Sequence, residues 1–153
     1  MPVPQSVTKI NKDGIEFVSN VDRASYTMKE LCRAALRDVG KFVCKRFRES
    51  YYSHFKRISG RVGRFTQYWV RSKEDYPNLQ VGVKPNAFYG GFQELGSSRT
   101  PRLGLLSSAV QDNIDDIIKI EGQYLSAIED EAGALGLISE QDYEGGAEEW
   151  AKS

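Results

Sequence analysis

Few side chains of this 153-residue chain could support acid–base, thiol or metal chemistry: one histidine, His54, two cysteines, Cys32 and Cys44, and an isolated acid, Glu94, in a glycine- and aromatic-rich run. A histidine-based triad needs a nucleophile motif and an orienting carboxylate, whereas His54 sits among Tyr51, Tyr52 and Phe55. Cys32 and Cys44 fall on what reads as one helix, where a rise of about 1.5 Å per residue separates them by roughly 18 Å. That is too far for a disulfide within the chain, and both are expected to be buried apolar residues. Neither CxxC nor HxxxH spacing occurs, so no zinc site and no cofactor is expected. A catalytic role for Glu94 would need a second titrating group at matched distance, and the spacing implies none. Glu94 is expected to pair with an arginine or to cap local backbone. Gly60-Arg61-Val62-Gly63-Arg64 superficially resembles a phosphate loop, but its spacing is neither GxGxxG nor GxxxxGK[ST], and it precedes a strand. Lys56, Arg57, Arg61 and Arg64, interleaved with Phe55 and Phe65, instead form a candidate assembly or DNA-facing loop. No site argues for catalysis, and the chain is not expected to be an enzyme.

The pattern of apolar residues predicts the elements that must carry these groups. Val7–Ile10 and Ile15–Val18 flank Asn11-Lys12-Asp13-Gly14, a hairpin signal. Thr27-Met28-Lys29-Glu30 reads as a capping box, so a helix is expected to begin there. Met28, Leu31, Cys32, Ala35, Leu36, Val39, Phe42, Val43 and Phe47 continue it to about Tyr51 at three- and four-residue steps. Arg33, Arg37, Lys41, Lys45 and Arg48 fall mainly on the other side. Ser53–Gly63 is expected to be a basic loop. Arg64–Arg71 and Leu79–Lys84 read as antiparallel strands joined through Glu74-Asp75-Tyr76-Pro77-Asn78. Ala87–Gly96 reads as a tight, irregular segment. From Leu105 to Ile128 a second helix is expected, carrying Leu106, Ala109, Val110, Ile114, Ile117, Ile118, Tyr124, Leu125 and Ile128 on one stripe, with Asp112, Asp115, Asp116 and Glu121 largely off it.

The fold class expected is α+β: a small antiparallel sheet packed by two long amphipathic helices. An N-terminal arm or hairpin occupies residues 1–20, the core domain residues 21–128, and an acidic C-terminal tail residues 129–153, with a short helix near Glu131–Leu137. Apolar residues at 40% and charged residues at 27% argue against wholesale disorder and membrane spanning. No secretory signal pattern opens the sequence, so an intracellular protein with no membrane partner is expected. The formal net charge is zero, yet residues 1–71 hold 15 Lys and Arg against 6 Asp and Glu, and residues 72–153 the reverse. Such a +9/−9 split suits a basic surface facing nucleic acid or an acidic partner, two copies meeting basic half to acidic half, or two unrelated solvated faces.

Phe88-Tyr89-Gly90-Gly91-Phe92-Gln93-Glu94-Leu95-Gly96-Ser97-Ser98, with the order of elements around it, resembles a known family. It is similar to the tailed-bacteriophage morphogenesis proteins typified by Hong Kong ninety-seven gene product ten, which combine a long helix, a Thr-Gly-x-Leu loop, strands, an aromatic-Tyr-x-x-Phe-x-Glu-x-Gly-Thr-Ser segment and a final helix. Ser59-Gly60-Arg61-Val62 stands at the loop position. Tyr89, Phe92, Glu94, Gly96, Ser97 and Ser98 match the central signature, and Pro101 followed by Leu105-Leu106 and Ala109 matches the lead into the last helix. The resemblance spans about Thr27 to Ile128. It departs at Gly104-Leu105-Leu106, where the family has Pro-Phe-Leu, and at Ser108, which replaces a frequent proline.

The resemblance implies a non-catalytic structural virion protein at the head–tail junction, made in the host cytoplasm. Its partners would be further copies of itself in a ring, expected to be a hexamer, together with neighbouring connector, head-closure and tail proteins and the DNA that passes through. The competing expectation is a small nucleic-acid-binding module using the basic helix and loop.

Overall fold

The computed structural model describes residues 8–12, 15–19, 21–56, 61–71, 76–130 and 133–138. Its spine is α1 (Val21–Phe55), 35 residues long, or about 52 Å end to end. Leu31, Ala34, Ala35, Val39, Val43, Cys44, Phe47 and Tyr51 are buried along it at helical spacing. The helix starts ahead of the expected capping box, with Asp22 in its first turn. Thr27 is therefore interior, and its hydroxyl donates to the carbonyl of Arg23 at 3.0 Å, a bond back along the helix in place of a cap. Met28 is half exposed, and Cys32, unlike Cys44, is only partly buried.

Strands β1 (Thr8–Lys12) and β2 (Ile15–Ser19) form the expected antiparallel hairpin, with pairing that continues through Asn11 and Lys12 to Lys12↔Ile15. A short helix, α2 (Arg61–Arg64), leads into β3 (Thr66–Arg71), which pairs antiparallel with β4 (Asn78–Val83) from Thr66↔Val83 to Arg71↔Asn78. This second hairpin packs on α1. The approach is close because Gly40 has no side chain: a Cβ there would lie 2.4 Å from Cδ2 of Tyr68.

After a 3₁₀ turn (Pro85–Ala87) the chain forms α3 (Tyr89–Leu95), where an irregular segment is expected. Two glycines disfavour a helix locally. Packing reverses that preference, because a Cβ on Gly90 would stand 3.0 Å from Val62 and the bare backbone lets α3 settle there. The last long helix is divided into α4 (Leu105–Gln111) and α5 (Ile114–Ser126). At the break Asn113 donates its side-chain amide to the carbonyl of Ala109 at 3.0 Å.

The α4–α5 pair runs back along α1 and closes two separate cores. One holds Phe47, Tyr51, Val62, Ala87 and Ala109, with Tyr89, Leu105 and Leu106 packed against it. The other holds Leu31, Ala34, Ala35, Tyr124 and Ala134. Residues 133–138 are helical, near the expected short helix, and Ala134 is fully buried, so packing reaches beyond Ile128 into the expected tail. The fold is α+β, mostly helical, with one small antiparallel sheet against the long helix.

Candidate functional site

The signature segment folds into the joint between α3 and α4. Glu94, on the inner side of α3, receives the backbone N–H groups of Leu106 and Ser107, both at 2.8 Å, and the Ser107 hydroxyl at 2.6 Å. It thus caps the first turn of α4, whose N-cap position is taken by Gly104, a residue with no side chain to do so. Partial burial alone would raise the Glu94 pKa, but the Ser107 hydroxyl, the two amides and the nearby Arg102 charge outweigh it and hold the carboxyl below its ordinary value. Beside it Gln93 accepts from the Tyr51 hydroxyl at 3.0 Å, and its carbonyl accepts from the Leu103 amide at 2.8 Å.

Gly96 ends α3 at φ +83°, donating its N–H to the Phe92 carbonyl at 2.8 Å. A side chain there would be strained by that left-handed conformation and would meet the Arg102 amide nitrogen at 3.1 Å. The Ser97 hydroxyl oxygen accepts from the amides of Arg99 and Thr100 at 3.3 and 3.1 Å, folding the turn that follows. Tyr89 packs against the aromatic core, whereas Ser98 and Pro101 are exposed. Phe92 is exposed as well, on the outer side of α3 with Phe88 and Leu95.

The basic residues are distributed differently from expectation. Ser53–Phe55 form the last turn of α1, and Arg61–Gly63 belong to α2, so the expected Ser53–Gly63 loop is much shorter. Arg57 and Gly60 lie outside the described residues. Lys56 follows α1 in the left-handed region, φ +51°, and is exposed, as is Arg64. Arg61 opens α2.

The arginine that the sequence reading placed on the solvated side, Arg48, is structural. Its guanidinium donates to the carbonyls of Gly63 at 2.9 Å and Thr66 at 3.0 Å, tying α1 to the α2–β3 corner. Helical periodicity assigns Arg48 to the basic face, and nothing in the spacing separates it from Lys45. The exposed Arg46 pairs with Glu49 at 3.2 Å and lies over the Phe42 ring.

His54 is exposed on the last turn of α1, edge-on to Phe55. Burial, opposed by the Arg48 charge, raises the Cys44 thiol to about 11, which keeps it protonated. Among the described residues no group of three His, Cys, Asp or Glu side chains could hold a metal ion, and no helix is long and apolar enough to cross a membrane. The polar residues Gln93, Glu94 and Ser97 of this segment thus serve internal hydrogen bonds that tie α3, its following turn and α4 into one corner. That corner presents an apolar outer row, which suits it to packing against another surface. No family model, no curated protein and no solved structure matches the chain.

Proposed function

We propose that this chain is a structural virion protein of a tailed phage, a neck or tail-completion component. It assembles with copies of itself as a ring, a hexamer in the particle, joining the portal stack to the tail and letting DNA pass. The observation that carries the reading is the inward use of the signature acid: Glu94 holds the α3–α4 corner together, as expected of a residue with an architectural role. The segment's resemblance to the phage morphogenesis proteins supplies the rest. Electron microscopy of particles labelled through a tag on this chain tests it, with several copies expected at the head–tail junction. One copy, or none, at that position overturns the reading.

Lys56, Arg57, Arg61 and Arg64 then face a neighbouring subunit or the DNA passage. Replacing Arg57, Arg61 and Arg64 together with Ser is expected to lower the yield of joined particles while the subunit still folds by circular dichroism. A normal yield of infectious particles removes these arginines from the mechanism. A second reading, a nucleic-acid-binding module, draws on the exposed Lys45, Lys56 and Arg64 around the C-terminal end of α1. Against it, Arg48 and Arg46 direct their charge to Gly63, Thr66 and Glu49.

A further inference from the structure

Two rows of large apolar side chains lie largely exposed among the described residues. On α3, Phe88, Phe92 and Leu95 are 69, 52 and 76% exposed. They recur at helical spacing on one side, while Gly90, Gln93 and Glu94 turn the other side toward Val62, Tyr51 and α4. The Phe88 and Phe92 rings already meet edge to face, 6.3 Å between centroids, so the row is pre-formed. On α5, Ile114, Ile118 and Leu125 are 48, 58 and 54% exposed and share a side, while Ile120 and Tyr124 pack toward α1. Single exposed apolar residues are ordinary, but aligned rows mark interaction surfaces.

The charges flanking the rows have opposite sign. Exposed Arg99 and Arg102 follow α3, and Arg102 is near enough to act on the Glu94 carboxyl. Exposed Asp112 and Asp115 stand just before and at the start of α5, Glu121 interrupts its row, and the one cation of the helix, Lys119, is paired with Asp116 at 3.5 Å.

We propose that the α3 row of one copy docks on the α5 row of a second copy, with Arg99 and Arg102 set against the acids of α5. This rests on the ring reading and names the surfaces that build the ring. The two patches are different, so a dimer leaves one of each unsatisfied, and repetition of the contact closes a ring when the rotation allows. Opposite flanking charges favour this pairing over row α3 on row α3, where arginines would meet arginines.

Phe92→Asp and Ile118→Asp test the contact, with association of the full chain followed by sedimentation equilibrium up to millimolar concentration. Each variant alone is expected to lose self-association more than about thirtyfold. Mixed in equal amounts, they are expected to stop at a dimer, because the intact α5 row of the first meets the intact α3 row of the second and nothing more can add. Single variants that assemble like the wild type overturn this contact and leave the ring to particle microscopy. A wild-type chain that stays monomeric at millimolar concentration also overturns it, again without deciding the ring. A lowered melting temperature of the Phe92→Asp monomer would mean that its own chain covers the row, and likewise overturns the proposal. If Phe92→Asp does not fold, Leu95→Asp at the most exposed row position replaces it.

Discussion

A carboxylate aimed at the first turn of a helix accepts from amides that the helix itself cannot use, and it meets the positive end of the helix dipole. Glu94 does this for α4 from outside the helix. Glu94→Gln is expected to cost about 1 kcal/mol and Glu94→Ala about 2 kcal/mol, read from urea unfolding. The carboxyl pKa is lower in the folded state than in the unfolded chain, so its stabilisation is fully present at neutral pH. It is lost as pH falls below the ordinary glutamate range and through the folded value. The gap between wild type and Glu94→Gln should therefore close on acidification, and a gap independent of pH would show that the charge contributes nothing. Cys44 offers a second measurement. Buried and held protonated, it should react with a thiol reagent at neutral pH only as fast as the protein unfolds. Prompt labelling in the native state would mean that the α1–β3 packing opens freely.

Among the elements, β3 comes close to α1, and that approach depends on Gly40. Gly40→Ala places a methyl group on the Tyr68 ring, and β3 must move; a loss of about 1–3 kcal/mol in thermal unfolding is expected. An unchanged melting temperature would show that Tyr68 can swing away without cost. The hairpins and the body of α1 were legible in the sequence because alternation and helical period are strong over their length. The N-terminal extent of α1 was not, since Thr27-Met28-Lys29-Glu30 satisfies the capping pattern while standing inside a helix that Val21–Tyr26 extend. Helix α3 was hidden by Gly90 and Gly91; Gly90 lies close against Val62, a neighbour far away in sequence, whereas a Cβ on Gly91 would meet nothing. On the last helix, the expected apolar stripe is wider than the chain buries: Ile114, Ile118 and Leu125 belong to it with Tyr124 but remain exposed. Glu94 as a backbone cap was within reach of the sequence, although its partners, Leu106 and Ser107, were not.

At the scale of the whole molecule, the described residues bring the basic α1 of the first half against α5 of the acidic second half. Phosphate approaching the basic helix therefore also meets the acids of α5. The purified chain is expected to bind random duplex DNA only weakly, with dissociation constants well above micromolar near physiological salt. Affinity tighter than about a micromolar there, falling by about 0.9 log units per phosphate contact for each log unit of salt, would favour the nucleic-acid module. A salt series by fluorescence anisotropy decides between them. The charge split could be counted in the sequence, but its distribution could not, because period alone does not tell a solvated arginine from one that, like Arg48, ties two elements together.

The two cores strung along α1 share no residue, and they are built of different material. Around Phe47 the helix is gripped by aromatic rings, Phe47 and Phe55 each against Tyr51 with centroids 5.6 and 4.5 Å apart. Around Leu31 it is held by Ala34, Ala35, Ala134 and Tyr124, with the aliphatic Ile120, Leu137 and Ile138 packed against them and, among the described residues, no ring besides that tyrosine. A continuous rod anchored firmly at one end and lightly at the other has a weak point built into it. Hydrogen exchange should resolve two tiers, with the amides near Leu31 opening in a partial event while those near Phe47 exchange only when the whole molecule unfolds. The chain can then open at one end of its longest helix without letting go at the other.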